Sequence, residues 1–491
     1  MASTQLENSS ELAARLPQYI ATRRWFRSKT RTIERAEIRD AMRVPETNCF
    51  LLFTRLHYAE GSEDDYVLTL VLGEDAHEEE EALSRKEFRD WLLSAIACDQ
   101  QLSGTDGDLA ALRTAAFKDE CGSSALKMES SVSRAEQSNT SIIYGDQFIL
   151  KLFRKVEEGI NPDIEIGRFL TEHGFSHTPA VLGSFEYRAH EGARYAVGIL
   201  QKFVSNQGDA WKYTLDSLRE FFERASRSRE TPQAPAGHPL DLAQNIPHEV
   251  RDLLGGYAES ARLLGERTAQ MHAVLAQPGT GPDFATEPFA AADGQKLYDE
   301  ILGQADITFE LLRRKQAILA GTAKDEAASA LRLEHRILER ISPLRTQKID
   351  AARIRFHGDY HLGQVLYTGS DFMIIDFEGE PARPLKERRG KTLAMRDVAG
   401  MLRSFQYAAY AAPNATESWS TYWNAWASAL YLNGYLKAAE NSAFLPRDRD
   451  QQRLLIDAFL LQKALYEVAY ELNNRPDWVR IPLRGILNLV S

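Results

Sequence analysis

The chain has 491 residues, more than one typical hydrophobic core serves, so two or three domains or lobes are expected. A hydrophobic fraction of 44% suits an ordinary globular protein, and a formal net charge of −11 argues against a sequence-independent nucleic-acid binder, which needs cations to neutralise phosphates. Three scattered cysteines, Cys49, Cys98 and Cys121, exclude a disulfide framework or a cysteine-based zinc site. No secretory signal opens the chain and no apolar run nears a membrane span, so a cytoplasmic enzyme with no membrane partner is expected.

Residues 1–100 read as an α+β unit. A helix around Glu11–Thr22 precedes alternating runs near Ile33–Val44, Phe50–His57 and Tyr66–Leu72, then a helix over about Glu80–Ala97. Trp25 and Phe26, among Arg23, Arg24, Arg27 and Lys29, are expected to pack that segment onto the strands.

Residues 101–204 carry the first chemical signal. Thr140–Tyr144 and Gln147–Phe153 flank Gly145-Asp146, a two-residue hairpin turn. Lys151 sits in the apolar second strand, where its charge needs a partner. Asn161-Pro162-Asp163 starts a helix that runs Ile164–His173 to Gly174 and carries Glu165. Strand lysine followed by helix glutamate is the pair with which kinases hold nucleotide phosphates. Ser138, Asn139, Thr140 and Ser141 are expected to form a loop whose hydroxyls and amides cover those phosphates. Val197–Val204, with Gln201 and Phe203, is the expected crossing between lobes where backbone groups meet adenine.

Residues 205–491 read as mostly helical, with patterns over Glu249–Ala276, Gly294–Ile341, Met395–Ala411, Glu417–Ala443 and Asp450–Asn473, and loop-rich stretches at Ala225–Pro247 and Pro278–Asp293. The strongest signal lies here. Asp359 sits in a polar loop, Gln364 follows five positions on, and Asp376 ends an apolar strand. Val365–Tyr367 and Phe372–Ile375 form a hairpin whose ends meet at one sheet edge. Phosphoryl transfer to a hydroxyl needs such a set: Asp359 as the base, Gln364 and Asp376 as Mg²⁺ ligands, and ATP as donor. His357 and His361 lack the glutamate of a zinc-protease helix and are expected to order the loop. Gly390-Lys391-Thr392 lacks the upstream glycine of a Walker loop.

The run His357-Gly358-Asp359-Tyr360-His361-Leu362-Gly363-Gln364, with Ile375-Asp376-Phe377-Glu378-Gly379-Glu380-Pro381, resembles the maltokinases among the aminoglycoside-phosphotransferase-like kinases. Arg24-Trp25-Phe26, Glu136–Ser141 with Ile149–Phe153, and the segments Lys463–Glu471 and Asn474–Trp478 match the same family. The resemblance implies an α+β, bilobal, eukaryotic-protein-kinase-like fold: an N-terminal cap, an intermediate ATP-binding subdomain and a helical C-terminal lobe. It implies phosphorylation of maltose to maltose 1-phosphate, and trehalose synthase as a partner. It assigns His357, Lys463, Tyr466, Tyr470, Trp478 and Arg484 to the sugar. A disaccharide needs an aromatic surface and several polar groups, and Tyr466 and Tyr470 share a helix face. Glu378 and Glu380 are expected beside the metal. Rival expectations are a kinase of glucosamine or glucose, and a non-catalytic partner of trehalose synthase.

Overall fold

The computed structural model describes residues 9–72, 80–120, 128–133, 138–227, 233, 235–277 and 281–490. Cys121, Glu136, Gln137, and parts of the two loop-rich stretches lie outside them. The chain divides into two compact units, Met1–Ser205 and Asn206–Ser491.

The first unit runs α1 (Ser9–Ala21), β1 (Ile33–Arg43), β2 (Cys49–Tyr58), β3 (Glu63–Val71), β4 (Glu80–Glu81), α2 (Lys86–Ala97), β5 (Gln101–Ser103), β6 (Gly107–Arg113), α3 (Ala115–Glu120), β7 (Ser130–Val132), β8 (Asn139–Tyr144), β9 (Phe148–Phe153), β10 (Lys155–Val156), α4 (Pro162–Glu172), β11 (Val181–Ala189) and β12 (Arg194–Lys202). One sheet has the order β1-β2-β3-β10, with β4 on β3. The other has the order β5-β6-β11-β12-β9-β8-β7. Alternation along β2 and β3 buries both faces: Leu52, Leu56 and Leu68 pack with α1, Trp25 and Phe26 on one side. On the other side Leu51, Phe53 and Val67 join Leu150, Leu152 and Ile199 in a core continuous with the second sheet. The two predicted subdomains therefore share one core. Trp25 and Phe26 both lie within about 6 Å of the Tyr66 ring.

The second unit runs α5 (Ala210–Ala225), α6 (Pro239–Leu242), α7 (His248–Leu254), α8 (Gly256–Leu275), β13 (Glu287–Pro288), α9 (Ala291–Lys315), α10 (Gly321–Arg332), α11 (Glu334–Glu339), β14 (Ala352–Arg353), β15 (Val365–Tyr367), β16 (Phe372–Ile374), α12 (Leu385–Arg388), α13 (Met395–Ala411), α14 (Glu417–Ala438), α15 (Arg449–Asn474) and α16 (Arg480–Asn488). Two predicted helices are broken. Glu249–Ala276 divides at Gly255, whose φ of 63° belongs to the left-handed region, and Gly294–Ile341 divides into α9, α10 and α11 around a tight turn before Gly321, φ 54°. Apolar periodicity continues through both breaks and hides them. Helices α8 and α14 approach closely because Gly265 and Gly434 each face the partner helix's backbone: an added Cβ would collide with the carbonyl oxygens of Tyr431 and Arg262. No helix among the described residues is long and apolar enough to cross a membrane.

Candidate active site

The hairpin β15–β16 has the register Val365↔Ile374, and the Ile375 N–H extends it by donating to the Gln364 carbonyl at 3.0 Å. Gln364 and Asp376 thus leave the hairpin at one end. Asp376 has φ 67°, a left-handed conformation that aspartate tolerates better than most residues and that marks a tight, overdetermined turn. A carboxylate oxygen of Asp376 and one of Glu378 come within 4.8 Å of each other. Gly358, φ 89°, lets the Asp359 loop press against this turn, where its Cβ would lie 3.1 Å from the Gly379 Cα. Two stretches separated by the hairpin are brought together by that contact.

His357 clips them. It is 1% exposed, its Nε2 donates to the Ile375 carbonyl at 2.9 Å, and its Nδ1 accepts from the Asp359 N–H at 3.4 Å. The assignment of His357 to the sugar is corrected: both ring nitrogens are spent inside the protein, and burial leaves it no face for a ligand. Beneath it lies Asp397 of α13, 2% exposed, which accepts from the His357 N–H at 2.8 Å, the Gly358 N–H at 3.0 Å and His272 Nε2 at 3.1 Å. Burial by itself would raise the Asp397 carboxyl, but the hydrogen bond and charge of His272 and the field of His357 hold it below the ordinary range. Sequence reasoning missed Asp397. Its signal was an acid on the helical face that also carries Met401 and Phe405, four and eight residues on.

Asp359 opens on a cavity of about 840 Å³ walled by α9, α13, α15 and the segment from Glu380 to Thr392. Its Oδ1 lies 3.3 Å from Lys463 Nζ on α15, and His361 Nε2 stands 3.9 Å from its Oδ2. Burial pulls the Lys463 ammonium down, but Asp359, Glu380 and Glu467 outweigh it and hold the group above its usual value. It stays charged. Tyr466, 36% exposed, lines the cavity one turn further along α15, with Lys463 Nζ 5.3 Å from its ring centre. Glu380 is a cavity wall residue paired with Arg383 at 3.0 Å and Arg396 at 3.6 Å. Glu300 and Gln304 of α9 and Gln462 of α15 complete the polar lining, and no local motif announced them. Lys391, from the rejected Walker-like run, also lines it and pairs with Glu287 at 2.8 Å.

Three residues assigned to the sugar sit elsewhere. Tyr470 stacks on Tyr466 with centroids 6.4 Å apart, but is 45% exposed and outside the cavity lining. Trp478 stacks on Tyr407 at 6.3 Å and lies under Arg475 at 4.9 Å. Arg484 is committed to Glu326 at 2.6 Å and Glu417 at 2.7 Å. Its assignment is corrected as well, because α16 turns the guanidinium toward those carboxylates.

In the first unit, Lys151 lies on β9 between Ser141 of β8 and Ile199 of β12. Its Nζ pairs with Asp163 Oδ2 at 3.4 Å, and that carboxylate is almost fully buried. Asp163 was not expected in this role; it follows the Asn161 cap, which accepts from its N–H. Glu165, half-buried, lies two residues further along α4. Asn139, Thr140 and Ser141 are strand residues of β8 and not a loop, because they pair in register with Phe153, Leu152 and Lys151 of β9. Ser138 precedes the strand. The Thr140 hydroxyl already accepts from Arg154 Nε at 2.8 Å. Gln201 lies on β12, paired with both Val181 and Ile149, and the Phe203 N–H is given to the Gln147 carbonyl at 2.7 Å.

No family model matches the sequence. The chain is 23% identical over 365 residues to a glucosamine kinase of Mycolicibacterium smegmatis, covering 71% of this chain and 76% of that one. It is 25% identical over 364 residues to a glucosamine kinase of Streptacidiphilus jiangxiensis, covering 72% of each. A solved glucosamine kinase in complex with glucosamine, ADP and inorganic phosphate superposes with a TM-score of 0.65 at 19% identity, over 99% of both chains. A second crystal form gives 0.66 over 98% of this chain and 99% of that one. The chain has the fold of a glucosamine kinase. The α+β kinase-like architecture expected from the sequence is therefore the one observed.

Proposed function

We propose that the chain is an ATP-dependent sugar kinase that phosphorylates maltose at its anomeric hydroxyl, with Asp359 as the base. The observation that carries this reading is the Asp359 carboxylate facing the 840 Å³ polar cavity with the Lys463 ammonium 3.3 Å away. The relatives named glucosamine kinase support the reaction class. In the step, Asp359 accepts the hydroxyl proton, the sugar oxygen bonds to the γ-phosphorus, and the bond from that phosphorus to the ADP oxygen breaks. Lys463 orients the carboxylate, and Tyr466 offers a ring to the apolar side of the sugar. Lys151, with Asp163 and Glu165, is assigned to the nucleotide phosphates. The Gln364 amide oxygen and the carboxylates of Asp376 and Glu378 are hard oxygen donors of the type Mg²⁺ selects, and would hold it. When bound, that ion offsets phosphate charge.

A second reading, glucosamine as acceptor, is favoured by the relatives named glucosamine kinase. The deciding experiment is Mg²⁺-dependent ADP release measured with maltose, glucosamine and glucose. Turnover with maltose, with maltose 1-phosphate as product, is expected. Turnover with glucosamine alone transfers the assignment to the second reading. No ADP release with any sugar removes the kinase reading and favours a partner role beside trehalose synthase.

A further inference from the structure

Helix α13 meets the loop that carries Asp359 at three points. Asp397, Gly400 and Ser404 stand three and seven residues along from the first, so they share one face of the helix. Asp397 takes the N–H groups of His357 and Gly358 at the start of the loop. Gly400 lets the helix backbone lie against the middle of it, where an added Cβ would stand 2.6 Å from the Tyr360 carbonyl oxygen. At the far end the Leu362 N–H donates to Ser404 Oγ at 3.1 Å, and both residues are buried.

This last bond seats the turn that delivers Gln364. Leu362–Gln364 is a single 3₁₀ turn. Its other two N–H groups are given to the residue just before it: Gly363 donates to His361 Nδ1 at 3.0 Å and Gln364 to the His361 carbonyl at 2.9 Å. Those bonds fix the shape of the turn but not its place in the fold. The Leu362 N–H alone reaches a distant element. On the other side, the Ile375 N–H holds the Gln364 carbonyl at 3.0 Å. Gln364 is therefore set between the hairpin and α13, and Ser404 supplies the α13 end. A buried N–H without an acceptor is costly, so loss of that hydroxyl shifts the turn toward another acceptor.

We infer that Ser404 is a positioning residue for Gln364, and through it for the Mg²⁺ that Gln364 and Asp376 would hold. Its hydroxyl does for Gln364 what the Asp397 carboxylate does for the backbone beside Asp359. The inference rests on the proposed assignment of Gln364 to the metal.

The test is calorimetric titration of Mg²⁺ into the ADP-loaded full chain, as wild type, Ser404→Ala and Ser420→Ala. Ser420 is the control. It is buried on α14, and its Oγ donates to the Ala409 carbonyl of α13 at 2.8 Å, so its loss removes a comparable bond from the same helix away from the loop. Ser404→Ala is expected to weaken Mg²⁺ binding about 3–10-fold, up to the strength of one hydrogen bond, while Ser420→Ala leaves it unchanged. Linkage requires the reverse effect as well: Mg²⁺ must slow hydrogen exchange at the Leu362 amide of the wild type, a readout that needs no variant. Equal Mg²⁺ constants for wild type and Ser404→Ala, an equal loss in both variants, or Leu362 exchange that Mg²⁺ leaves unchanged overturns the inference and leaves the kinase reading intact. No Mg²⁺ binding by the ADP-loaded wild type overturns it together with the assignment of Gln364 to the metal.

Discussion

Replacing Asp397 by asparagine changes one oxygen to an amino group and removes one charge, in a place where three donors converge. The carboxylate receives the N–H groups of His357 and Gly358 and the Nε2 of His272, at 2.8–3.1 Å. An asparagine retains one acceptor, and its amino group then meets a donor. Hydrogen bonds to a charged group contribute about 1.5–3 kcal/mol each, and an unmatched buried polar group costs about 1–3 kcal/mol, so a destabilisation of about 3–5 kcal/mol is expected. Urea unfolding followed by tryptophan fluorescence measures it as a fall in midpoint at unchanged slope. Turnover should fall in parallel, because the same bonds hold the backbone on either side of Gly358. The pH dependence has a definite sign. The carboxyl is held below its ordinary range in the folded chain, so its contribution is complete above about pH 4 and is lost as pH falls through the folded value. An Asp397→Asn midpoint within about 0.5 kcal/mol of the wild type, smaller than one such bond, would refute this account.

Further expectations concern the site and its frame. Asp359→Asn should lower turnover by about 10²–10⁴-fold, the span of a positioned base, while circular dichroism stays unchanged; near-normal phosphorylation removes Asp359 from the role. Asp376→Gly should relieve a left-handed backbone that costs a non-glycine residue about 1 kcal/mol, so its unfolding midpoint should hold or rise while Mg²⁺-dependent turnover disappears. A glycine variant that keeps its activity ends the assignment of Asp376 to the metal. Gly265→Ala should destabilise the second unit by about 1–3 kcal/mol or more, since α8 and α14 must separate to admit one methyl group. A neutral result in thermal melts would mean that the helices shift apart without cost.

Much of the architecture was legible because periodicity and punctuation agreed. The hairpin turn Gly145-Asp146, the cap Asn161-Pro162 and the helix Met395–Ala411 lie where residue type put them. The return of Gln364 and Asp376 to one hairpin end also follows from sequence, since a short antiparallel pair brings its two ends to the same edge. What sequence could not supply was the destination of side chains whose partners are distant in the chain. His357 was expected to order its loop, but the partners of its two nitrogens, the Ile375 carbonyl and the Asp359 N–H, are set by the fold, and Arg484, given to the sugar by resemblance, pairs with Glu326 and Glu417. Asp397, Glu300 and Gln304 carry no local motif, because their role comes from helices converging on one cavity. Local spacing specifies which atoms share a turn or a strand edge. Convergence between remote segments is decided by packing, and only the tertiary structure records it.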